Sequence, residues 1–150
     1  MAETIGVASG LVALTAFAFK SSVALYQTIN SFRHHSDTVR DLRDELEALQ
    51  GALRSLTETV DGGAEADFSA LSLPLLRCGN ACRDFEDKIL SSASRSDSTL
   101  ANFRGWAKLR YLGDDVDSFR RMLAGYKSTI LIAITDATLC VAIPPSLLPL

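Results

Sequence analysis

The chain has 150 residues, the length of one domain, and a fold of that size buries roughly 70% of its unfolded surface. Apolar residues make up 47% and the net charge is −3, which suits a globular protein and gives no general attraction to nucleic acid. Three cysteines, Cys78, Cys82 and Cys140, are too few for the disulfide framework of a small secreted domain.

The charge is uneven. Residues 36–61 hold three basic and seven acidic side chains, and residues 99–150 hold six basic and four acidic. Two differently solvated helix faces account for this, and a docking polarity is the sharper reading.

Residues 3–33 read as helix, with 20–22 the point where a break would fall. Ile5, Ala8, Val12, Ala16, Phe19, Val23, Tyr26 and Ile29 lie on one side at helical spacing. Val7, Leu11, Ala13, Leu14, Phe17 and Ala18 make the first turns apolar nearly all round, as in a helix that is central in a core or placed in lipid. Residues 4–19 form an uncharged run of 16, short of the about 20 that span a bilayer. Glu3 stands where a secretory signal would carry basic residues, so the expected location is cytoplasmic, with a peripheral membrane position as its extension.

The most regular stretch is 39–60. Val39, Leu42, Leu46, Leu49, Leu53, Leu56 and Val60 alternate steps of three and four, the a/d seam of a helix that faces other helices. Ser36 or Asp37 can cap its start, and Gly62-Gly63 ends it, since glycine tolerates a left-handed C-terminal turn. His34 and His35 sit in the joint before it. Residues 62–70 form a loop or weak turn.

The next helix begins near Ser72, with Pro74 in its first turn, where a missing amide costs nothing. Its stripe is Leu71, Leu75, Cys78, Cys82, Phe85 and Ile89, and it ends before the serine-rich segment 91–98. The two cysteines one turn apart on that stripe read as buried reduced thiols. A last helix or helix pair covers 99–140, with Leu109, Leu112, Val116, Phe119, Leu123, Tyr126, Ile130, Ala133, Ala137 and Cys140 as its stripe. Gly113-Asp114-Asp115 is where one helix would give way to two. Trp106 packs the connecting segment. Pro144-Pro145 stops the helix, leaving 141–150 as an apolar tail or linker.

No run of period two suggests a strand. The expected fold is all-α: an antiparallel four- to five-helix bundle over 1–140 with an apolar N-terminal helix.

Catalytic chemistry finds no foothold. GxxxxGK[ST], GxGxxG, GxSxG and HExxH are all missing. The acidic pairs Asp84/Asp87 and Asp114/Asp117 read as solvated faces. Arg104, Lys108, Arg110, Arg120 and Arg121, with Trp106 and Tyr111 between them, form the best basic cluster, but Asp114, Asp115 and Asp117 dilute it. The sequence therefore predicts no enzyme, no catalytic, cofactor or metal site, no nucleic-acid partner and no small-molecule substrate. The partners it suggests are protein helices, from a second copy or another chain, and an anionic membrane surface.

The opening MAETIGVASGLVALTAFAFKSSVALYQTI and the heptads LRDELEALQGALRSL resemble the N-terminal helical domain of fungal NOD-like proteins of the NACHT or STAND type, called HeLo-like. The same kind of domain is labelled azaphilone pigment biosynthesis cluster protein L, N-terminal. The segment LPLLRCGNACRDFEDKI, Trp106 and the run FRRMLAGYKSTILIAI share the resemblance, which covers about 1–140. It implies a non-enzymatic signalling or effector domain at the amino end of a larger receptor; this chain stops at Leu150 without an NTPase domain. It also implies membrane engagement through the first helix, carried here by Ile5, Val7, Leu11, Val12, Leu14, Phe17 and Phe19. The alternative is a homo- or hetero-oligomerisation module without membrane action, pairing through the coiled-coil seam.

Overall fold

The computed structural model describes residues 2–31, 37–62, 68–93 and 113–142, with side chains over 10–31, 37–62, 68–91 and 115–139. Among these residues it is all helix: α1 (Ala2–Asn30), α2 (Asp37–Asp61), α3 (Ser72–Ala93), entered through a 3-10 turn (Ser69–Leu71), and α4 (Gly113–Ala142). No strand occurs among them.

The packing follows from the seams. α1 lies against both α2 and α3, α2 also lies against α4, and α3 and α4 meet only sparsely. Contacting pairs set the directions. Phe19 meets Arg54 while Tyr26 meets Glu47, so α1 and α2 are antiparallel. Phe17 meets Gly79 while Thr28 meets Glu86, so α1 and α3 run parallel. Phe85 stacks on Phe119, and Tyr126 lies near Cys78, so α3 and α4 are antiparallel. Each helix thus reverses the one before it along the chain, while the side-by-side pairs α1–α3 and α2–α4 are parallel.

The α2 seam is the centre of the core. Val39, Leu42, Leu46, Leu49, Leu53 and Leu56 are buried, and Val60 is half-buried at the end. A fully buried leucine contributes about 1.5–3 kcal/mol relative to an exposed one. Along the turn and α3 all six stripe residues, from Leu71 to Ile89, are buried. On α4, Val116, Phe119, Leu123, Ile130 and Ala137 are buried and Tyr126 and Ala133 half-buried. Leu109, Leu112 and Trp106 lie outside the described residues, as do Ser36 and the tail from 143 onward; nothing is described of the Cys140 side chain.

Four details differ from the sequence reading. α1 is continuous through 20–22. Its core stripe is Leu11, Thr15, Ala18, Ser22, Leu25 and Ile29, whereas Val12 is 39% exposed and Ala16 is exposed. The reason is hydroxyl chemistry. Thr15 donates to the Leu11 carbonyl at 2.8 Å and Ser22 to the Phe19 carbonyl at 2.7 Å. With the hydroxyls satisfied within their own helix, these small polar residues can face the core while larger apolar ones flank it. α3 runs on to Ala93, through the first serines of the expected loop. At the end of α2, the Gly62 N–H donates to the Glu58 carbonyl at 2.9 Å without a left-handed backbone at Gly62.

α2 and α4 also share a charge pair. Lys127 Nζ lies 2.8 Å from Glu45 Oε1, both mostly shielded from water. Removing Lys127 leaves the shielded Glu45 carboxylate with only the more distant charge of Arg120 to offset it. Lys127→Ala is expected to lower stability by about 1–3 kcal/mol, and Lys127→Met with Glu45→Leu to lower it less. Urea denaturation of the three proteins checks this; a double variant that loses more than Lys127→Ala would contradict the penalty expected for a lone shielded charge.

Candidate functional site

The first helix is the element with a surface to explain. Of the residues linked to membrane engagement, Leu11 is 4% exposed and belongs to the core. Leu14, Phe17 and Phe19 are half-buried, Val12 faces outward, and the side chains of Ile5 and Val7 lie outside the description. Phe17 covers Gly79 of α3, with the Arg83 guanidinium 5.8 Å from the ring centre. Phe19 is capped in the same way by Arg54 of α2, at 5.5 Å. Gly10, Ala13, Ala16 and Lys20 complete the exposed side. α1 is therefore neither central in the core nor free: one face is packed and the other, apolar and nearly uncharged, meets the surroundings. The segment Gly10–Asn30 is long and apolar enough to cross a membrane by length and composition, and only 33% of its apolar window is buried.

The seven residues of the α2 seam, by contrast, point inward and are spent on α1 and α4. They leave no open heptad face on α2 for another chain.

Charge and apolar exposure are segregated along the bundle axis. At the end where α1 begins and α4 finishes, the helices carry six charged residues: Glu3, Arg54, Glu58, Asp61, Arg77 and Asp136. The other halves of the same helices carry nineteen. Of the eight large hydrophobic side chains exposed among the described residues, Val12, Leu73, Leu76, Leu131, Ile132 and Leu139 sit at the poorly charged end, and only Leu90 and Met122 at the other. Sequence reading missed this because the segregation appears only when four helices of alternating direction are set side by side.

The remaining features are structural. Cys78 and Cys82 are buried and free, and the Cys82 thiol, hydrogen-bonded to Cys78 and shielded from water, is held far above its ordinary pKa. Among the described residues no three His, Cys, Asp or Glu side chains are grouped to hold a metal ion. Arg120 and Arg121 both bind Asp117, at 2.9 and 3.2 Å, and the Arg120 hydrogen bond holds that carboxyl below its usual range. Arg104, Lys108, Arg110 and Tyr111, the rest of the expected basic cluster, lie outside the described residues. A cleft of about 270 Å³ between α3 and α4 is lined by Phe85, Lys88, Asp115, Ser118, Phe119 and Met122. Its rings stack at 4.4 Å, nearly parallel, closing the side of the bundle where the backbones stand apart.

No match was found among curated proteins or among solved structures. A family model, described as pigment biosynthesis cluster protein PigL N-terminal, matches residues 2–144. With nearly the whole bundle inside that match, the chain belongs to the PigL N-terminal family.

Proposed function

We propose that the chain is a non-catalytic signalling or effector domain whose first helix engages membranes, as the resemblance to HeLo-like domains of fungal NOD-like proteins implies. The observation that carries the reading is the half-packed state of α1: a segment with the length and apolarity of a membrane span keeps a bare side of Val12, Ala13 and Ala16. Family membership supports a non-catalytic amino-terminal domain. The domain acts in the cytoplasm and at the inner face of a membrane, with no cofactor or small-molecule substrate. Oligomerisation through the α2 seam has less support, because that seam is buried within the chain.

The probe must be placed by burial. Leu11→Glu would put a charge into the core and unfold the bundle, whereas Val12→Glu with Ala16→Glu alters only the outer side of α1. Dye release from phosphatidylserine-containing vesicles is expected from the parent chain. The double variant, with unchanged helicity, should release at least about tenfold less, because two charges replace apolar contact area. Equal release by both proteins would remove α1 as the membrane-engaging element.

A further inference from the structure

We propose that the folded bundle contacts a phospholipid bilayer end-on, and that α3 and α4 supply much of the contact through Leu73, Leu76, Leu131, Ile132 and Leu139. This rests on the membrane reading above but assigns the surface to helices other than α1, in the packed state and without release of the first helix.

Three observations choose lipid over a protein partner. First, the exposed side chains stand on α1, α3 and α4, three corners of the bundle, and point away from the core in different directions. A single docked helix covers one groove; a surrounding medium reaches all three corners. Second, the α4 threonines on this stretch turn their hydroxyls back onto the helix, leaving Ser128 and Asp136 as its exposed polar side chains free of such a bond. Thr129 donates to the Gly125 carbonyl, Thr135 to Leu131 and Thr138 to Ile134, at 3.0, 2.8 and 2.8 Å. With hydroxyls tied back four residues, as those of Thr57 and Thr59 also are on α2, these positions offer methyl groups outward and are compatible with contact to hydrocarbon. Third, the charges divide as a water–lipid boundary would divide them. Of the charged residues on the four helices, nineteen are in the far halves and six in the near halves.

The same distribution limits the depth. Asp136 is one turn from Ile132 and exposed, and Arg54, Glu58 and Asp61 keep the α2 corner in water. A charge at hydrocarbon depth is costly, so this end lies tilted on the headgroup boundary. Its α3–α4 side is down so that Leu131 and Ile132 reach it, with Asp136 at headgroup level and the α2 corner raised.

The test is flotation with vesicles of phosphatidylcholine and phosphatidylserine, using the parent, Leu131→Glu/Ile132→Glu and Val12→Glu/Ala16→Glu. Ile132 is 69% exposed, so the α4 variant should keep the parent's melting temperature. Its partition onto vesicles should fall at least about tenfold, since the apolar contact is lost and two like charges are added. Leu139→Glu serves as a second variant if the first unfolds. If the α4 variants float like the parent while the α1 variant does not, this proposal is overturned and the membrane reading stands. If the parent itself does not float, the membrane reading fails and this proposal with it. A parent that sediments as a dimer and becomes monomeric on Leu131→Glu/Ile132→Glu, without floating, would give the surface to a second copy and overturn the lipid assignment.

Discussion

Leu46→Ala is expected to cost about 2–5 kcal/mol of folding stability. Leu46 has no exposed surface and stands in mid-seam on α2, the helix that packs against both α1 and α4. Truncation removes the apolar contact and leaves a cavity between helices that cannot all move in at once. For a chain of this length each kcal/mol shifts the melting temperature by roughly 2–4 °C, so a drop on the order of 10 °C should be seen by circular dichroism. Leu46→Met, close in volume, should cost less than about 1.5 kcal/mol. An alanine variant melting within a degree of the parent would show that the seam is not the bundle's core.

The second large effect is expected at Gly79. A β-carbon there would lie 2.3 Å from the Phe17 ring, closer than real contacts allow. The glycine therefore serves close approach of α1 and α3, and the ring of Phe17 fills the space a side chain would take. Gly79→Val should destabilise by about 1–3 kcal/mol, despite the slightly better helix propensity of valine. The Phe17→Ala background is the control. With the ring gone, the valine has room, and the double variant should be more stable than the sum of the single losses by about 0.5–3 kcal/mol. Strict additivity would place the clash elsewhere. The pair also bears on function, because it fastens to α3 a residue that the family resemblance links to lipid.

The sequence carried the fold where one face of a helix is apolar and the other charged. On α2 and α3 every described stripe position ahead of the half-buried Val60 is buried, since a two-sided helix has one way to turn. α1 was illegible for the opposite reason. With Val, Leu, Ala and Phe all round, periodicity cannot choose a face, and the choice fell to Thr15 and Ser22, whose self-satisfied hydroxyls let them turn inward. The stack of Phe85 on Phe119 pairs two stripe residues about thirty positions apart, and its lining cleft depends on how far α3 and α4 separate. The exposed apolar end could not be read at all from a linear chain. Leu73 and Leu131 come to the same end of the bundle only because α3 and α4 run in opposite directions.

The measurement that most directly tests the account is amide hydrogen exchange over residues 10–30, in lipid-free buffer and with phosphatidylserine-containing vesicles. The account predicts that α1 is protected in buffer to nearly the level of α2, because Leu25 and Ile29 are as deeply buried as the α2 leucines. It predicts that vesicles add protection to α1 and to 128–139 together. Exchange of α1 at the rate of an unstructured peptide in buffer, beside a protected α2, would contradict it, for the first helix would then not belong to the resting bundle.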